Sequence, residues 1–497
     1  MTKSETEMAA ENTGPADVFV FFGATGDLAR KQIFPALYAM AKRGTLTVPV
    51  VGVAHSGWEL PQLRNRAKEA IQQAGRIDDR KALDRLLSLL RYVDGDYNSD
   101  ATFQLLKKAI GDARHPAHYL AIPPMLFGTV VKKLGAAGLA EGARVIIEKP
   151  FGHDLQSARA LNGLATSVFG EESIFRIDHF LGKEAVENLL YFRFANSVFE
   201  PLWNRDHIAS IQVTMAEAFG VEGRGAFYDA TGCLRDVVEN HLFQIVALLA
   251  IEPPVGMGTG ALRGEKAKVF RAMRPLEAGD LVRGQFSGYR SEPGVAATSG
   301  VETYCAMRLQ IDSWRWNGVP WLLRAGKRMP VTATEVVVQF RPPPQRLFAD
   351  SASSVGKSNY LRFRLAADPA IALAARVKRP GEASLGDQRE LYLQDAEDGA
   401  EPPYERLLGD AMAGNGALFS SEDMVEAAWA VVDPVLKHHS RVQPYEPGSW
   451  GPKGAERLAA SVGGWRELVM ARVDARQSSR GGARKPQQGL VQGASQP

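Results

Sequence analysis

Between Val18 and about residue 178, short apolar runs alternate with amphipathic helical stretches, and this alternation constrains the fold more than any other feature. The apolar runs include "VFVFF", "VPVVGVA", "HYLAIPP" and "RVIIEKP". Strands that are separated by helices form βαβ units, and a parallel sheet has both of its faces covered. The pattern therefore predicts an N-terminal α/β domain with a parallel sheet, over residues 16–178.

The pattern changes after residue 178. The segments "IASIQVTMAEAF", "ETYCAMRLQIDSWRW" and "ATEVVVQFRP" are longer and alternate partly between apolar and polar residues, which is typical of an antiparallel sheet. We therefore predict a larger α+β domain over residues 179–475. Residues 1–15 are polar and residues 476–497 are low in complexity, so both segments are predicted to be disordered tails.

Composition excludes several classes of protein. The net charge is only +3 over 497 residues, so neither nucleic acid nor a membrane surface is an expected partner. No apolar run reaches the ~18 residues of a membrane helix, and "IVALLAI" at 245–251 indicates a buried helix instead. Cys233 and Cys305 have no CxxC neighbour, which excludes a cysteine zinc site and favours a reducing cytoplasm.

A glycine turn follows the first predicted strand. In "VFVFFGATGDLARK", Gly23 and Gly26 stand between that strand and an amphipathic helix. Glycines at such a turn let the backbone approach a pyrophosphate, and the helix N-terminus attracts anions. The spacing is G-x-x-G rather than the full G-x-G-x-x-G, so an ordinary tight turn is the alternative. The βαβ context favours a nucleotide site.

The end of the next strand, "VGVAHSG", indicates which nucleotide is preferred. An NAD site usually has Asp or Glu there, whereas an NADP site accommodates the 2′-phosphate with a basic residue. Here there is no carboxylate, and His55 stands where a charged residue is expected. His55 either contacts the phosphate or is an ordinary surface residue; Arg30 and Lys31 offer further positive charge. The sequence favours NADP and leaves NAD open.

The segment "RIDHFLGKE" at 176–184 combines acidic and basic residues. We expect Asp178 at or near the start of a helix, with His179 and Lys183 four residues apart on one helical face. Positive groups near a helix N-terminus would bind an anion. The alternative is a capped helix with a solvated lysine.

A second cluster lies in "FYDATGCLRDVVENHLFQIVALLA". On an α-helix Asp236 and Asn240 share a face, and His241 lies ~100° further round. A histidine on such a helix is often a satisfied core residue, but the polar residues before the apolar run favour the wall of a cleft. Lys149 in "EKPFG" directly follows a buried strand, where parallel-sheet enzymes bind their ligands.

Together these motifs resemble the glucose-6-phosphate dehydrogenase family. The matching segments are "GATGDLARK", "YLAIPP", "EKPFGHDL", "RIDHFLGKE", "AEAFGVEGRGAFYDATGCLRDVVENHLFQ" and "VPWLLRAGKR", in family order from about residue 18 to 345. The resemblance implies a Rossmann-like coenzyme domain and a larger α+β domain whose broad, mainly antiparallel sheet joins subunits into homodimers or homotetramers. It also implies oxidation of glucose 6-phosphate at C1, with hydride transfer to NADP.

The resemblance implies a role for individual residues as well. His241 would be the general base, and Asp178 would orient it and stabilise its charged form. Six residues would bind or position the sugar phosphate: Lys149, His179, Lys183, Glu217, Asp236 and Lys327. Eight would line the coenzyme cleft: Gly23, Thr25, Gly26, Asp27, Leu28, His55, Tyr119 and Lys149. No metal is expected, because a base and the coenzyme suffice for this reaction.

Three positions depart from the family pattern. Relatives commonly have tyrosine at Phe180, arginine at His55, and a further basic residue shortly after Arg328, where this chain has "MPVT". Each lost contact would weaken binding by ~1–3 kcal/mol if nothing replaced it. Two alternatives therefore stay open: the same chemistry with NAD or mixed coenzyme preference, and a non-catalytic sensor of sugar phosphate and nucleotide.

Overall fold

Six parallel strands form the first sheet, in the order β3-β2-β1-β4-β5-β6. The structure, a computed structural model, describes residues 14–256, 258–345, 347–348, 358–366, 369–382, 385–393, 401–466 and 468. The predicted tails at 1–15 and 476–497 lie outside these residues, except for 14 and 15. The six strands are β1 Val18–Phe22, β2 Val50–Ala54, β3 Leu90–Asp94, β4 Pro116–Leu120, β5 Arg144–Glu148 and β6 Ile174–Ile177.

Both faces of this sheet are covered, as the unbroken apolar strands predict. In β1, Val18, Val20 and Phe22 enter one hydrophobic core, while Phe19 and Phe21 enter the other. Helices cover the two faces: Phe34–Arg43, Leu60–Ala74, Arg80–Leu89, Asp100–Ile110, Phe127–Ala136 and Leu155–Thr166. Helix Pro403–Ala413, far along the chain, also packs on the second face through Leu407, Leu408 and Ala411.

Nine strands form the second sheet, in the order β14-β13-β12-β11-β7-β10-β9-β8-β15. Only β10–β7 and β15–β8 pair in parallel; the other neighbours are antiparallel. The prediction of a broad, mainly antiparallel sheet is therefore confirmed. Its strands are β7 Ile208–Ala216, β8 Leu281–Phe286, β9 Tyr304–Leu309, β10 Trp321–Gly326, β11 Ala333–Phe340, β12 Tyr360–Ala366, β13 Ala370–Lys378, β14 Gly386–Leu393 and β15 Gln443–Tyr445.

The helices of this half are Glu184–Ala195, Gly225–Cys233, Phe243–Ala250, Thr259–Ala272, Glu422–Lys437 and Glu456–Ala459. Helix Phe243–Ala250 is buried along its whole length, as its apolar sequence predicts. Two segments are π-helical, Ala29–Ile33 and Leu234–Leu242. Within the described residues, no helix has the length and apolar character needed to cross a membrane.

The sequence placed a domain boundary near residue 178. Strand β6 ends at Ile177, and the next strand, β7, belongs to the second sheet. By their contacts, however, the described residues up to Trp465 form one compact unit. The division therefore stays a prediction.

Candidate active site

The turn after β6 places Asp178 where the first sheet ends. The Asp178 carboxylate accepts a hydrogen bond from the backbone N–H of Phe180 (3.0 Å), and its carbonyl accepts one from Leu181 (3.0 Å). These bonds hold residues 178–183 in consecutive turns. The expectation that Asp178 begins a helix is wrong, because helix Glu184–Ala195 begins six residues later. His179 and Lys183 therefore do not share a helical face.

His241 comes from a helix whose geometry the sequence did not reveal. Gly232 has φ 71° and ψ 175°, which interrupts the preceding helix, and the next segment, Leu234–Leu242, is a π-helix. A π-helix bonds residue i to i+5. Asp236 and His241 are five apart and both contact Lys149. From α-helical spacing we expected His241 to point ~100° away from the face that carries Asp236, and this expectation is therefore wrong.

Asp178 and His241 meet although 63 positions separate them (241 − 178). Asp178 Oδ1 lies 2.6 Å from His241 Nδ1, and both side chains are less than a tenth exposed. Burial alone would raise the pKa of Asp178, but the neighbouring His241 and Lys149 hold it below its usual range. Burial lowers the pKa of His241, and Asp178 only partly opposes this. The pair is thus a carboxylate beside a neutral imidazole.

Lys149 fixes the tautomer of that imidazole. Its Nζ lies 2.9 Å from His241 Nε2 and donates to the Asp236 carbonyl at 2.8 Å. An ammonium group can only donate, so Nε2 must be the acceptor and Nδ1 must carry the proton that faces Asp178. Nε2 is therefore the ring atom that can accept a further proton from a donor in the cleft.

His179, Phe180 and Lys183 lie beside this pair. The His179 ring packs edge-on against His241, with 4.8 Å between the ring centroids. Burial, helped by the charges of neighbouring groups, lowers the pKa of His179 to about 3. His179 therefore offers N–H hydrogen bonding without the positive charge expected from the sequence. The Lys183 ammonium lies 4.3 Å from the centre of the Phe180 ring.

Three further charged side chains lie close to Lys149 and Lys183: Glu217, Lys327 and Asp236. Lys327 Nζ contacts Glu217 Oε2 at 2.6 Å. Burial tends to raise the pKa of Asp236, but Lys149 and Lys327 together keep it low. Lys183 in turn interacts with the charges of Asp178 and Glu217. Carboxylate and ammonium groups therefore lie close together around Asp178 and His241. This arrangement is suited to a small ligand that carries both hydroxyls and an anionic group.

The turn after β1 requires glycine at position 23. Gly23 has φ 81°, and a Cβ at this position would lie 2.1 Å from the Ala121 carbonyl oxygen, so no larger residue fits. The neighbouring Thr25 Oγ1 lies 2.7 Å from Ser56 Oγ, in the loop after β2. This connection brings the two loops at the carboxyl ends of β1 and β2 together, where open α/β folds bind dinucleotides.

The other predicted coenzyme residues differ in exposure. Gly26, Asp27 and His55 are exposed and Leu28 is half-buried. Asp27 forms ion pairs with Arg30 (3.1 Å) and Lys31 (3.2 Å), so these two cations are already partnered. Tyr119 is fully buried, and its hydroxyl donates to Glu148. Tyr119 therefore lies behind the surface of the cleft.

Comparison with known sequences decides the family. Residues 20–188 match the family model described as "Glucose-6-phosphate dehydrogenase, NAD binding domain", and residues 190–466 match "Glucose-6-phosphate dehydrogenase, C-terminal domain". The chain belongs to the glucose-6-phosphate dehydrogenase family. The predicted resemblance is confirmed, and so is the nicotinamide class of the coenzyme; the family match does not separate NADP from NAD.

Relatives of this glucose-6-phosphate dehydrogenase family member align along nearly their whole length. Glucose-6-phosphate 1-dehydrogenase 1 of Mycobacterium tuberculosis is 44% identical, over 92% of this chain and 98% of its own. The crystal structure of glucose-6-phosphate 1-dehydrogenase from Mycobacterium avium has a TM-score of 0.86 at 45% identity, covering 92% of this chain and 100% of that chain. A glucose-6-phosphate dehydrogenase in complex with its substrate has a TM-score of 0.85 at 34% identity, covering 92% and 99%.

Two departures from the family pattern have a structural setting here. Phe180 lacks a hydroxyl group, but its ring packs against the Lys183 ammonium. Arg328 has a left-handed backbone (φ 53°) and directs its guanidinium to Glu222 at 2.8 Å. Its charge is therefore paired and does not replace the basic residue that relatives have further along.

Two residues near the site were missed in the sequence, the buried Glu148 and the partly buried Tyr404. Glu148 accepts from Tyr119, and burial raises its pKa to about 7. Tyr404 stacks on the His179 ring, with 6.2 Å between centroids and 9° between planes. Burial and Asp178 raise the pKa of Glu239 to about 8. Glu148 adjoins a recognised motif, which could have signalled it, whereas no sequence pattern connects Tyr404 to residue 179. Glu239 is one of the polar residues that the sequence places in the wall of a cleft.

Proposed function

We propose that this chain oxidises D-glucose 6-phosphate at C1 to 6-phospho-D-glucono-1,5-lactone, the first step of the oxidative pentose phosphate route. The observation that carries the proposal is the contact between Asp178 and His241 beside Lys149. A sugar-phosphate sensor needs no buried general base, whereas removal of a hydroxyl proton does. The relatives named above are glucose-6-phosphate 1-dehydrogenases.

His241 Nε2 takes the proton of the C1 hydroxyl. That hydroxyl replaces the Lys149 ammonium as the hydrogen-bond donor to Nε2, and Lys149 then donates a hydrogen bond to the sugar oxygen. Asp178 keeps the Nδ1 proton in place and stabilises the imidazolium that forms, which is the usual role of a carboxylate paired with a catalytic histidine. A bound nicotinamide supplies the acceptor for the C1 hydride.

The rest of the sugar phosphate is bound by hydrogen-bond donors at the phosphate and by both acceptors and a donor at the sugar hydroxyls. His179 donates a neutral N–H hydrogen bond to the phosphate, and Lys183 supplies the positive charge. The sugar hydroxyls donate hydrogen bonds to the carboxylates of Glu217 and Asp236 and accept one from the ammonium group of Lys327. These assignments rest on the contact of Lys327 with Glu217 and on the influence of Lys149 and Lys327 on Asp236.

The coenzyme of the proposal is NADP, held in the cleft lined by Gly23, Thr25, Gly26, Asp27, Leu28 and His55. The end of β2 offers no carboxylate to the ribose hydroxyls, which disfavours NAD. Asp94, the last residue of β3, accepts hydrogen bonds from the backbone N–H groups of Ser56 and Gly57, both at 2.9 Å. His55, which is exposed, would then contact the 2′-phosphate.

Self-association into a homodimer or homotetramer is also part of the proposal. In the described sheet, β14 is the last strand, and Leu391, Tyr392 and Leu393 on it are 40–65% exposed. Exposed apolar edge strands are usually covered in the native assembly. Light scattering should give a mass of two or four chains, and L391D/L393D should shift it toward one, with V255D as the exposed control.

The proposal also retains the domain division near residue 178, which follows from the change in sequence pattern, and a cytoplasmic location, which follows from two cysteines without CxxC neighbours. The decisive experiment is an assay of the purified chain with glucose 6-phosphate and either NADP or NAD, following reduced nicotinamide at equal coenzyme concentrations. We expect turnover with a preference for NADP. Faster turnover with NAD would overturn the coenzyme assignment, and none with either coenzyme would leave only the sensor.

A further inference from the structure

Glu302 is a buried carboxylate to which the proposed reaction assigns no role. It lies two residues before strand β9 and is 3% exposed, and Arg283 on the neighbouring strand β8 is 5% exposed. Arg283 Nη2 donates to Glu302 Oε2 at 2.6 Å, and its Nε donates to the same oxygen at 3.0 Å. This ion pair fixes one oxygen of the carboxylate and leaves the other, Oε1, to bond elsewhere.

Every N–H group of Arg283 has an acceptor. Nη2 also donates to the Gly300 carbonyl at 2.9 Å, and Nη1 donates to the Ser440 carbonyl at 2.8 Å and to His439 Nδ1 at 2.9 Å. A guanidinium group has five N–H donors in a fixed planar fork, and all five are used here. Arg283 is therefore held in one orientation, and it holds the Glu302 side chain in turn.

The second oxygen of Glu302 caps the π-helix that carries His241. Glu302 Oε1 accepts the backbone N–H of Leu234 at 3.1 Å, and the Glu302 carbonyl accepts that of Cys233 at 3.0 Å. Cys233, the residue before the π-helix, makes no side-chain cap of its own. The first N–H groups of a helix have no partner within the helix, and a negative charge beside them is favourable. Glu302 thus supplies, from another segment, what an N-cap side chain usually supplies locally.

The break before the π-helix lies against the same carboxylate. Gly232 has φ 71°, and a Cβ at this position would lie 2.5 Å from Glu302 Oε1. Only glycine therefore lets the chain turn this close to Glu302. The register of a helix is set where it begins, and in an α-helix a shift of one residue turns every side chain by about 100°. The directions of Asp236 and His241 consequently depend on this start.

The residue after Glu302 supports a second part of the cleft. The Thr303 carbonyl accepts the backbone N–H of Lys327 at 3.0 Å, and Lys327 Nζ contacts Glu217 at 2.6 Å. Two consecutive buried residues thus hold both the helix of the general base and the end of the strand that leads to a substrate-binding lysine.

We propose that Glu302 is a positioning residue, which caps the π-helix and thereby directs His241 toward Asp178 and Lys149. Loss of the carboxylate leaves the Leu234 N–H without its acceptor, and the first turn of the helix then reorganises. The proposal rests on the proposed oxidation of glucose 6-phosphate. It assigns a part in the reaction to a buried ion pair whose carboxylate lies 61 positions beyond the general base (302 − 241).

The test compares E302A with E335A in the full-length chain. Glu335 forms an ion pair of the same kind with Arg362, also at 2.6 Å and equally buried, between strands β11 and β12. Both variants should lower the melting temperature, because each removes a carboxylate partner from a buried arginine. Only E302A should lower kcat, by roughly 30-fold, since misplacing a catalytic group by a fraction of an ångström is costly. The dissociation constant of glucose 6-phosphate should stay within about threefold of the wild type, because the phosphate-binding residues lie on another segment.

E302Q separates capping from charge. Its amide oxygen can still accept from the Leu234 N–H, so kcat should lie only about threefold below the wild type, while E335Q should leave kcat unchanged. Equal kcat in E302A and E302Q would overturn the proposal. So would wild-type kcat in E302A, or an equal loss of kcat in E302A and E335A. If E302A does not fold, the comparison of E302Q with E335Q decides, and equal kcat in those two would overturn the proposal.

A second measurement needs no turnover. In the chain labelled with ¹³C at histidine Cε1, the signal that disappears in H241N should move in E302A and keep its position in E335A. A signal that stays in place in E302A would overturn the proposal. If the wild type does not oxidise glucose 6-phosphate but this signal moves in E302A, the proposed function fails and the placement of His241 by Glu302 stands.

Discussion

At the acid–base end of the site, Asp178 and His241 are almost wholly buried, whereas at the coenzyme end Gly26 and His55 lie at the surface. The buried pair is held by contacts from two distant segments, with Lys149 fixing the tautomer. The exposed end is held by the contact between Thr25 and Ser56 and by backbone N–H groups that donate to Tyr97 and Asp94.

This difference in burial indicates at which positions a substitution would leave the catalysed reaction intact. A buried, preorganised acid–base pair acts at full strength in a low-dielectric setting, and any change there affects the reaction itself. A surface loop that holds a coenzyme phosphate changes affinity instead, because its contacts are partly replaced by water. Of the three departures from the family pattern, none falls on Asp178 or His241.

The largest expected effect is that of H241N at the buried end. Loss of the general base should lower kcat by roughly 10³-fold, within the usual range for such a base, because the asparagine amide cannot take up the hydroxyl proton. Binding of glucose 6-phosphate, measured by calorimetry, should stay within a few-fold of the wild type. H207N, at an exposed histidine, is the matched control. Wild-type rates in H241N would remove His241 from the mechanism.

A smaller loss is expected from K183A, at the phosphate end of the same cleft. Removing one charged hydrogen-bond donor should raise KM for glucose 6-phosphate ~10- to 100-fold and leave kcat within a few-fold. K132A, at an exposed lysine of helix Phe127–Ala136, should leave both constants unchanged. A fall in kcat without a change in KM would place Lys183 with the acid–base pair instead.

The two ends also differ in how far the sequence predicts them. The glycine turn and the parallel sheet follow from local patterns, since Gly23 needs a left-handed backbone and β1 is apolar on both faces. The contact between residues 178 and 241 depends on a break at Gly232 and a π-helix after it. Hydrophobic spacing does not distinguish a π-helix from an α-helix over nine residues, so the predicted relation of Asp236 to His241 was wrong.

The start of the helix after β6 illustrates a second limit. Asp178 is a good N-cap residue by type, and the sequence predicts a helix there. In the structure its carboxylate instead holds a turn, and a Cβ at Gly182 would lie 2.7 Å from the Pro403 carbonyl oxygen. A segment more than 200 residues away therefore determines the local conformation, and no local pattern contains that information.

At the exposed end, H55R should sharpen the comparison with a moderate gain. An arginine there can form charge-assisted hydrogen bonds with the 2′-phosphate, so the dissociation constant of NADP should fall about tenfold while that of NAD changes little. Coenzyme fluorescence titration in the absence of sugar phosphate measures both constants. kcat should not change, because position 55 is remote from the acid–base pair. Equal effects on the two coenzymes would show that position 55 does not face the 2′-phosphate.

The smallest expected effect concerns the charge of His179. Its folded-state pKa of about 3 lies below the ordinary value of 6.5, so the imidazole should stay neutral from pH 8 down to pH 5, while an exposed histidine gains a proton over that interval. In the chain labelled with ¹³C at histidine Cε1, the signal that disappears in H179N should keep its chemical shift between pH 8 and 5, whereas the signal of free labelled histidine in the same buffer should move. Because a neutral imidazole donates a hydrogen bond without adding charge, Lys183 then carries the electrostatic attraction for the phosphate. A His179 signal that titrates near 6.5 would mean that this side chain is hydrated, and the buried end of the site would then resemble its exposed end.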